Sequence, residues 1–290
     1  MKIRKAVIPA AGLGTRVLPA SKYIPKEMLP IVDKPVIQYI VEEAVKAGIT
    51  EILIITGRGK GAIEDHFDRS PELEERLLAG GKQAIYDEIR AIPDLANITF
   101  IRQKETKGLG HAVLCAKEFV GDEPFAVLYG DDVIIGENSA TAELCAAYEK
   151  HGKGVVGIKE VSHEMIHKYS SLKADPIGDR EFLVTDMIEK PKTEAEVLSY
   201  YSILGRCVLP PEIFSILEHT EPGAGGEIQL TDAMLVLARR DGMIGVDYTG
   251  TRYDMGNKLG ILQAAVEVGL KHPEVGEDFR KYLKKLAETL

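Results

Sequence analysis

Residues 6–16, with the sequence AVIPAAGLGTR, constrain the possible fold more than any other part of the chain. Ala6 to Ile8, closed by Pro9, is a short apolar run without a polar face, which is typical of a strand buried on both sides in a parallel sheet. Small residues follow it at four positions: Ala10, Ala11, Gly12 and Gly14. Because such a loop lacks bulky side chains, its N–H groups can approach an anion closely, and Arg16 adds a positive charge. We therefore predict a strand leading into a loop for the phosphates of a nucleoside triphosphate.

The glycine spacing of this loop differs from that of the two most common phosphate-binding motifs. A P-loop would end in Gly-Lys followed by Ser or Thr, and a dinucleotide fingerprint would have its third glycine where Val17 stands. A dinucleotide fold also needs an acidic residue at the end of the next strand, but the predicted strand over 51–56 ends in Thr56 followed by Gly57. Taken alone, a glycine-rich turn is more often only a turn.

Further motifs follow the loop in a fixed order. They are PKEMLP at 25–30, KPVIQ at 34–38, KGLGH at 107–111, GDD at 130–132, EKP at 189–191, GEIQLTD at 226–232 and YDMGNK at 253–258. Together with GLGTR at 12–16 they resemble the signature of the bacterial sugar-1-phosphate nucleotidylyltransferases, almost from end to end. Among these, the chain is most similar to the uridylyltransferases. The resemblance implies transfer of the uridylyl group of UTP to glucose 1-phosphate, with UDP-glucose and pyrophosphate as products.

The predicted elements agree with the Rossmann-like α/β fold that this resemblance implies, in which helices cover both faces of a mixed, mostly parallel central sheet and a sugar-side lobe follows. The strand at 6–8, a helix over 36–47 and the strand over 51–56 form a right-handed crossover unit. Further strands are predicted over 98–102, 124–132, 154–158, 182–189, 203–209 and 244–248, and further helices over 71–90, 107–115, 211–219, 231–240 and 278–290. Since no linker or repeat divides the chain, we predict one domain over 1–290. Its nucleotide-binding half covers about 1–135 and its sugar-binding half about 136–290.

Composition excludes several classes of partner. The 290 residues carry a net charge of -9, and the acidic residues are spread along the chain, which disfavours nucleic acid and anionic membranes because both select clustered Lys and Arg. The three cysteines, Cys115, Cys145 and Cys207, are far apart in sequence, as in a reduced cytoplasmic protein. Pro9 and the loop glycines interrupt a signal-like apolar run. We expect a cytoplasmic protein, and the resemblance implies a homodimer or homotetramer.

Nucleotidyl transfer requires the protein to position two anions and to neutralise developing charge, because a sugar-phosphate oxygen attacks the α-phosphorus in line while pyrophosphate leaves. The resemblance implies catalytic roles for Arg16 and Lys26 on the triphosphate and for Lys190 on the sugar phosphate. It assigns the nucleotide to Ala10, Ala11, Gly12, Gly14, Glu27, Gln103 and Gly108. Glu189 and the backbone near Gly205 would face the sugar hydroxyls.

Asp131 and Asp132 end the predicted buried strand, where a carboxylate is costly unless it is paired or bound to a cation. Judged from these two residues alone, capping of the following turn is at least as well supported as metal binding. The resemblance implies that Asp131 and the distant Asp254 share one Mg²⁺, which suits a hard cation that is also held by phosphates and water. We therefore predict Mg²⁺ as the cofactor.

Three alternatives remain open at this stage. A thymidylyltransferase would have similar loops, and a catalytically silent regulatory homologue would bind nucleotides or partners without turnover. The segment His163 to His167 also matches His-Glu-x-x-His, a zinc hydrolase motif that requires a helix and a third ligand.

The chain departs from the family pattern at Ser170, at Tyr200-Tyr201 and at Met255, and the first two lie where sugar contacts are expected. These departures predict a sugar site that accepts more than glucose.

Overall fold

The fold was determined as a computed structural model, which describes residues 2–289. The strands, in chain order, are β1 (Lys5–Pro9), β2 (Pro30–Ile31), β3 (Lys34–Pro35), β4 (Glu51–Thr56), β5 (Asn97–Arg102), β6 (Phe125–Leu128), β7 (Asp132–Ile135), β8 (Val155–Glu160), β9 (Ser170–Gly178), β10 (Glu181–Glu189), β11 (Tyr201–Leu209), β12 (Met243–Asp247) and β13 (Thr251–Asp254).

The α-helices are α1 (Val36–Lys46), α2 (Gly61–Phe67), α3 (Pro71–Ala79), α4 (Gln83–Ala91), α5 (Leu109–Leu114), α6 (Lys117–Val120), α7 (Ala140–His151), α8 (Ile213–Leu217), α9 (Leu230–Asp241), α10 (Lys258–Gly269) and α11 (Gly276–Ala287). Within residues 2–289, no helix has both the length and the apolar character needed to cross a bilayer.

Nine strands form the central sheet, in the order β5-β4-β1-β6-β11-β8-β12-β10-β9. The pairs β5-β4, β4-β1, β1-β6 and β8-β12 are parallel, whereas β11 is antiparallel to both of its neighbours and β10 to both of its own. It follows that β10 and β11 run opposite to the other strands of the sheet. The prediction of a mixed, mostly parallel sheet is confirmed.

Helices cover both faces of this sheet, and the apolar side chains of β1 pack against helices on each face. Ala6 and Ile8 pack into one apolar cluster with α1, α7 and α10, while Val7 between them packs into a second cluster with α5, α8 and α9. All three side chains are fully buried. Burying a side chain of the size of Val7 or Ile8 contributes roughly 1.5–3 kcal/mol, so a run of this kind is most stable where both faces of the strand are covered.

The helix predicted over 36–47 is confirmed as α1, and Gly48 follows it with φ 84°, the left-handed conformation of a helix-terminating glycine. The helix predicted over 71–90 is wrong as a single element. It is divided into α3 and α4 at Gly80 and Gly81, and Gly81 has φ 68°. A residue in that conformation interrupts the helix.

The strand predicted over 124–132 is also wrong in its second half. The central-sheet strand β6 ends at Leu128, and the chain turns so that the N–H of Asp132 donates to the carbonyl of Tyr129 over 3.1 Å. Gly130 occupies this turn because a Cβ there would lie 2.6 Å from the carbonyl oxygen of Pro9. Asp132 then begins β7, which leaves the central sheet and pairs with β13. The two acids of the GDD motif consequently face different surroundings.

Candidate active site

The carboxyl ends of β1, β4, β5 and β6 meet at one edge of the sheet, where open α/β sheets bind ligands. A cavity of about 400 Å³ lies at this edge. Seven of the residues predicted for the nucleotide and the metal line it: Ala11, Gly12, Lys26, Glu27, Gln103, Gly108 and Asp131. Ala10, Gly14 and Arg16 belong to the same loop but lie outside the lining.

Two cations and two carboxylates meet at the end of this cavity. Lys26 Nζ lies 2.5 Å from Asp131 Oδ2, and the guanidinium of Arg16 lies 3.5 Å from Asp131 Oδ2 and 3.8 Å from Asp254 Oδ2. The structure therefore brings Asp131 and Asp254 together across more than a hundred residues of sequence. Arg16 is 63% exposed and bridges them from the solvent side.

The pKa directions in this cluster follow from its charges. Burial raises the pKa of Asp131, but the charge and hydrogen bond of Lys26, with Arg16, outweigh it and hold the pKa below its usual range. Burial lowers the pKa of Lys26, but Asp131 and Glu27 outweigh it and hold the pKa above its usual range. Both groups are consequently charged near neutral pH, as a site for phosphates and a cation requires.

Gly256 marks the space between the two carboxylates. A Cβ at this glycine would lie 2.4 Å from Arg16 Nη2, 2.8 Å from Asp131 Oδ2 and 2.9 Å from Asp254 Oδ1, so the guanidinium of Arg16 reaches the same space as the two carboxylates. Two further hydrogen bonds hold this segment in place, because the N–H of Met255 donates to the Asp131 carbonyl and the N–H of Gly256 to Asp254 Oδ1, each over 2.8 Å. Oxygen donors that converge on one space suit Mg²⁺. Asp131 and Asp254 fit the predicted metal pair.

Asp132 does not join this pair. Its carboxylate forms an ion pair with Arg252 over 2.6 Å and is 5% exposed. Burial raises the pKa of Asp132 to about 6, with the charges of Asp131 and Asp254 adding to the effect and Arg252 opposing it. Asp132 therefore fixes β13 to β7, whereas Asp131 faces the cavity.

Glu27, predicted to contact the nucleotide, has its carboxylate in a buried ion pair. Lys60 Nζ donates to both of its oxygens over 2.8 Å, and the two side chains are 9% and 1% exposed. Burial raises the pKa of Glu27 and lowers that of Lys60. The sequence analysis missed Lys60, which lies after β4 in a stretch that reads as an ordinary loop. Its charge is held next to Lys26 and joins the loop after β1 to the start of α2.

Gln103 lies at the carboxyl end of β5, as predicted, and is 5% exposed. Its side-chain N–H donates to the carbonyl of Gly108 over 3.2 Å, and its Nε2 lies 2.9 Å from Nδ1 of His111. Gly108 has φ 103°, and a Cβ there would lie 2.7 Å from the Ile228 carbonyl oxygen. These contacts hold an amide and a bare backbone at the wall of the cavity, which are suitable groups for reading the edge of a base.

The predicted sugar-side residues lie beyond the lining of this cavity: Glu189 ends β10, Lys190 follows it, and Gly205 lies on β11. Glu189 accepts a hydrogen bond from the Thr231 hydroxyl over 2.9 Å and lies 3.5 Å from Lys190 Nζ. Lys190 has φ 52°, and its N–H donates to the carbonyl of Tyr169 over 3.0 Å. A non-glycine residue at positive φ is a strained conformation that functional sites often retain. Gly205 has φ 80°, and a Cβ there would be 2.9 Å from the Asp132 side chain.

The family departures near this region have local partners. The Ser170 hydroxyl is buried and accepts the N–H of Ile203 over 3.0 Å, so it is directed at β11. The Tyr200 hydroxyl donates to Glu194 over 2.9 Å, and the Tyr201 ring packs 4.8 Å from that of Phe182. The contacts of these three side chains give no support to the prediction of a broader sugar site.

The His-Glu-x-x-His match does not form a zinc site. Ile166–Lys168 is a short 3-10 helix, whereas the motif requires an α-helix that places both imidazoles on one face. His163 and His167 instead lie 3.2 Å and 3.8 Å from Glu194 Oε2. Throughout residues 2–289, no group of three or more His, Cys, Asp or Glu side chains is arranged to hold a metal ion.

The sequence profile of the nucleotidyl transferase family matches residues 5–269, and the chain belongs to this family. The UTP–glucose-1-phosphate uridylyltransferase YngB of Bacillus subtilis is 53% identical to it over 283 residues, which cover 98% of this chain and 95% of that protein. A crystal structure of UDP-glucose pyrophosphorylase complexed with UDP-glucose has a TM-score of 0.85 at 41% identity, covering 93% of this chain and 100% of its own. The UTP-bound enzyme from Acinetobacter baumannii has a TM-score of 0.91 at 38% identity, covering 98% and 99%.

Proposed function

We propose that this protein transfers the uridylyl group of UTP to glucose 1-phosphate and releases UDP-glucose and pyrophosphate. The observation that carries the proposal is the cluster of Arg16, Lys26, Asp131 and Asp254 at the end of a cavity whose wall presents Gln103. Relatives at about 50% identity that bear the name of this activity support it.

In this proposal the uracil lies against Gln103 and Gly108, and the loop from Ala10 to Gly14 runs alongside the phosphates. Lys26 and Arg16 neutralise charge on the triphosphate. Both cations lie within 4 Å of Asp131, which lines the cavity. Lys190 holds the phosphate of the sugar, and Glu189 with the Gly205 backbone receives its hydroxyls. The attacking oxygen forms a bond to the α-phosphorus as the bond to pyrophosphate breaks.

Asp131 and Asp254 would hold Mg²⁺ in this reaction. The ion, when bound, supplies Lewis-acid stabilisation of the phosphate charge. The two carboxylates approach the same space beside Gly256, which the guanidinium of Arg16 also reaches, so Arg16 would have to move when the ion binds. Phosphate and water oxygens would supply the remaining ligands. Lys26 and Arg16 hold the pKa of Asp131 below its usual range, so this carboxylate is ionised before the substrates arrive.

Two alternatives are weaker. A thymidylyltransferase would need Gln103 and its neighbours to accept the thymine methyl and a deoxyribose. A silent homologue would have no use for the complete set of Arg16, Lys26, Asp131, Lys190 and Asp254. We also propose that the chain is one domain with nucleotide and sugar halves meeting near 135, that it acts in the cytoplasm, and that it assembles as a homodimer or homotetramer.

A screen of pyrophosphate release tests the assignment. The purified protein would be incubated with Mg²⁺, with each of UTP, dTTP, CTP, ATP and GTP, and with the 1-phosphates of glucose, galactose, glucosamine and mannose. We expect the highest kcat/KM with UTP and glucose 1-phosphate, because a site built to bond one hydroxyl or amide discriminates strongly against an analogue lacking it. Equal or greater kcat/KM with dTTP would overturn the uridylyl assignment, and no release with any pair would favour the silent homologue.

A further inference from the structure

The His-Glu-x-x-His segment, which forms no zinc site, lies against the residue that is proposed to hold the sugar phosphate. Ile166 is fully buried and anchors the short 3-10 helix Ile166–Lys168 in the body of the protein. The ring of His167 faces Pro191, with Nδ1 2.8 Å from the carbonyl oxygen. Because a carbonyl oxygen can only accept, Nδ1 carries the proton and donates it. His167 is therefore bonded to the backbone one residue after Lys190.

A second bond from the same segment reaches Lys190 itself. The N–H of Lys190 donates to the carbonyl of Tyr169 over 3.0 Å, so the backbone is held both at Lys190 and at Pro191. Lys190 has φ 52°. A residue with a side chain keeps such a conformation only where its surroundings fix it. The bonds from His167 and Tyr169 provide that fixation.

The chain beyond Pro191 has a further contact at Glu194, but this contact is weaker. The Tyr200 hydroxyl donates to Glu194 Oε1 over 2.9 Å, and His163 Nε2 lies 3.2 Å from Glu194 Oε2. The side chains of His163 and Glu194 are 65% and 55% exposed, so water screens their interaction. Pro191 is buried, which protects the bond from His167. Of the two histidines, His167 is the one that can fix the backbone beside Lys190.

The opposite side of this segment reaches the proposed metal pair. The Tyr169 hydroxyl lies 3.5 Å from Asp254 Oδ2, and the guanidinium of Arg252 lies 5.4 Å from the centre of the Tyr169 ring. Residues 167–169 therefore contact Asp254 on one side and the backbone around Lys190 on the other. In-line attack requires the sugar phosphate to be held at a fixed place relative to the α-phosphorus. A rigid segment between the two groups meets that requirement.

We propose that His167 is a positioning residue for the sugar phosphate, because its bond to Pro191 fixes the backbone from which the Lys190 ammonium reaches that phosphate. This inference rests on the proposed function. The Lys190 side chain is 49% exposed, and within residues 2–289 its one ion-pair partner is Glu189, at 3.5 Å. Since few contacts orient the side chain itself, the backbone beneath it decides where its charge lies. His167 contacts no substrate in this proposal and acts only through Lys190.

The test is steady-state kinetics of the forward reaction with each substrate varied. His167→Ala would be compared with His167→Asn, whose side-chain amide can still donate to the Pro191 carbonyl. The control is His219→Ala, which removes a bond of the same kind, from Nδ1 to a backbone carbonyl over 2.9 Å, at an exposed position after α8. We expect the KM for glucose 1-phosphate to rise about three- to tenfold in His167→Ala and to stay within about twofold in the other two variants. The KM for UTP should stay within about twofold in all three.

A Lys190→Ala background separates positioning from a general structural effect. In that background His167→Ala should change the KM for glucose 1-phosphate by less than about twofold, because the charge that it positions is absent. Calorimetric titration gives a readout without turnover. The Kd for UDP-glucose should rise in His167→Ala, since the phosphate next to its sugar is the one that Lys190 would hold, and the Kd for UTP should not.

Three results would overturn the inference. They are a full effect of His167→Ala in the Lys190→Ala background, an equal rise in the KM for UTP, and a loss that His167→Asn does not restore. A KM for glucose 1-phosphate that matches the His219→Ala control would also overturn it and would leave the proposed function intact. A wild-type protein that releases no pyrophosphate from UTP with glucose 1-phosphate would instead reject the proposed function, and the inference with it.

Discussion

Asp131→Asn tests whether this carboxylate stabilises the fold before any substrate binds. Repulsion between Asp131 and Asp254 alone would predict a more stable variant. The structure predicts the opposite, since Lys26 Nζ lies 2.5 Å from Asp131 and the two side chains are only 14% and 23% exposed. The substitution leaves Lys26 in a largely buried position without its carboxylate, and loss of a charge-assisted hydrogen bond costs about 1.5–3 kcal/mol. For a chain of 290 residues, that loss lowers the Tm by roughly 2–5 °C.

Calorimetric unfolding at pH 7 without added metal measures this shift, and Asp254→Asn is the matched control. The nearest cation to Asp254 is the exposed Arg16 at 3.8 Å, so its ion pair contributes less than about 1 kcal/mol. The folded protein holds the pKa of Asp131 below its usual range. The ionised Asp131 carboxylate therefore contributes its full stabilisation at any pH above the pKa that Asp131 has in the unfolded chain. This stabilisation is lost as pH falls through the folded pKa, so the Tm values of the two proteins should begin to approach each other below about pH 4 and coincide only below the folded pKa. A higher Tm in Asp131→Asn at pH 7 would refute this reasoning.

Three further predictions concern separate parts of the site. Lys190→Ala should raise the KM for glucose 1-phosphate roughly tenfold to a hundredfold and leave the KM for UTP within about twofold, because its charge would meet only the sugar phosphate; steady-state kinetics with each substrate varied checks this. Asp131→Asn, Asp254→Asn and the double variant should lose kcat/KM to a similar, non-additive extent across a Mg²⁺ titration, because both residues would hold one ion, and full additivity would contradict that. Glu27→Gln should lower the urea midpoint of unfolding by more than Lys190→Ala does. The reason is that it leaves the Lys60 side chain, which is only 9% exposed, without its carboxylate partner. Equal midpoints for the two variants would contradict this.

Local patterns were sufficient to predict the elements that lie deepest in the sheet. The apolar run at Ala6 and the helical stripe that begins at Val36 both agree with the structure to within a residue or two. Other local signals were present but not used. Ser139 caps α7 by accepting the N–H of Ala142, and Gly152 ends that helix in the left-handed conformation. A helix over these residues could have been predicted from the sequence.

Strand pairing between distant segments could not be predicted in this way. β7 and β13 pair across more than a hundred residues, with Asp254 opposite Asp132. Nothing in either short segment identifies the other, because the alternation of side chains gives the period of a strand but not its partner. For this reason the sequence indicated that Asp131 and Asp254 lie together only through the family resemblance, whereas the structure brings them together through the two-stranded ribbon of β7 and β13.

The same limit applies to the charges that hold this ribbon in the fold. Arg206, 1% exposed, pairs with Glu43 of α1 over 2.6 Å and donates to the carbonyl of Asp132 over 2.9 Å. In sequence Glu43 lies beside an apolar helical stripe and reads as a solvent-facing residue. Breaking such a buried pair costs about 3–5 kcal/mol, while well-packed apolar residues would often serve stability equally well. We infer that the pair is retained for position, because its hydrogen bond to the Asp132 backbone fixes the residue next to Asp131 and thereby the direction in which that carboxylate enters the cavity.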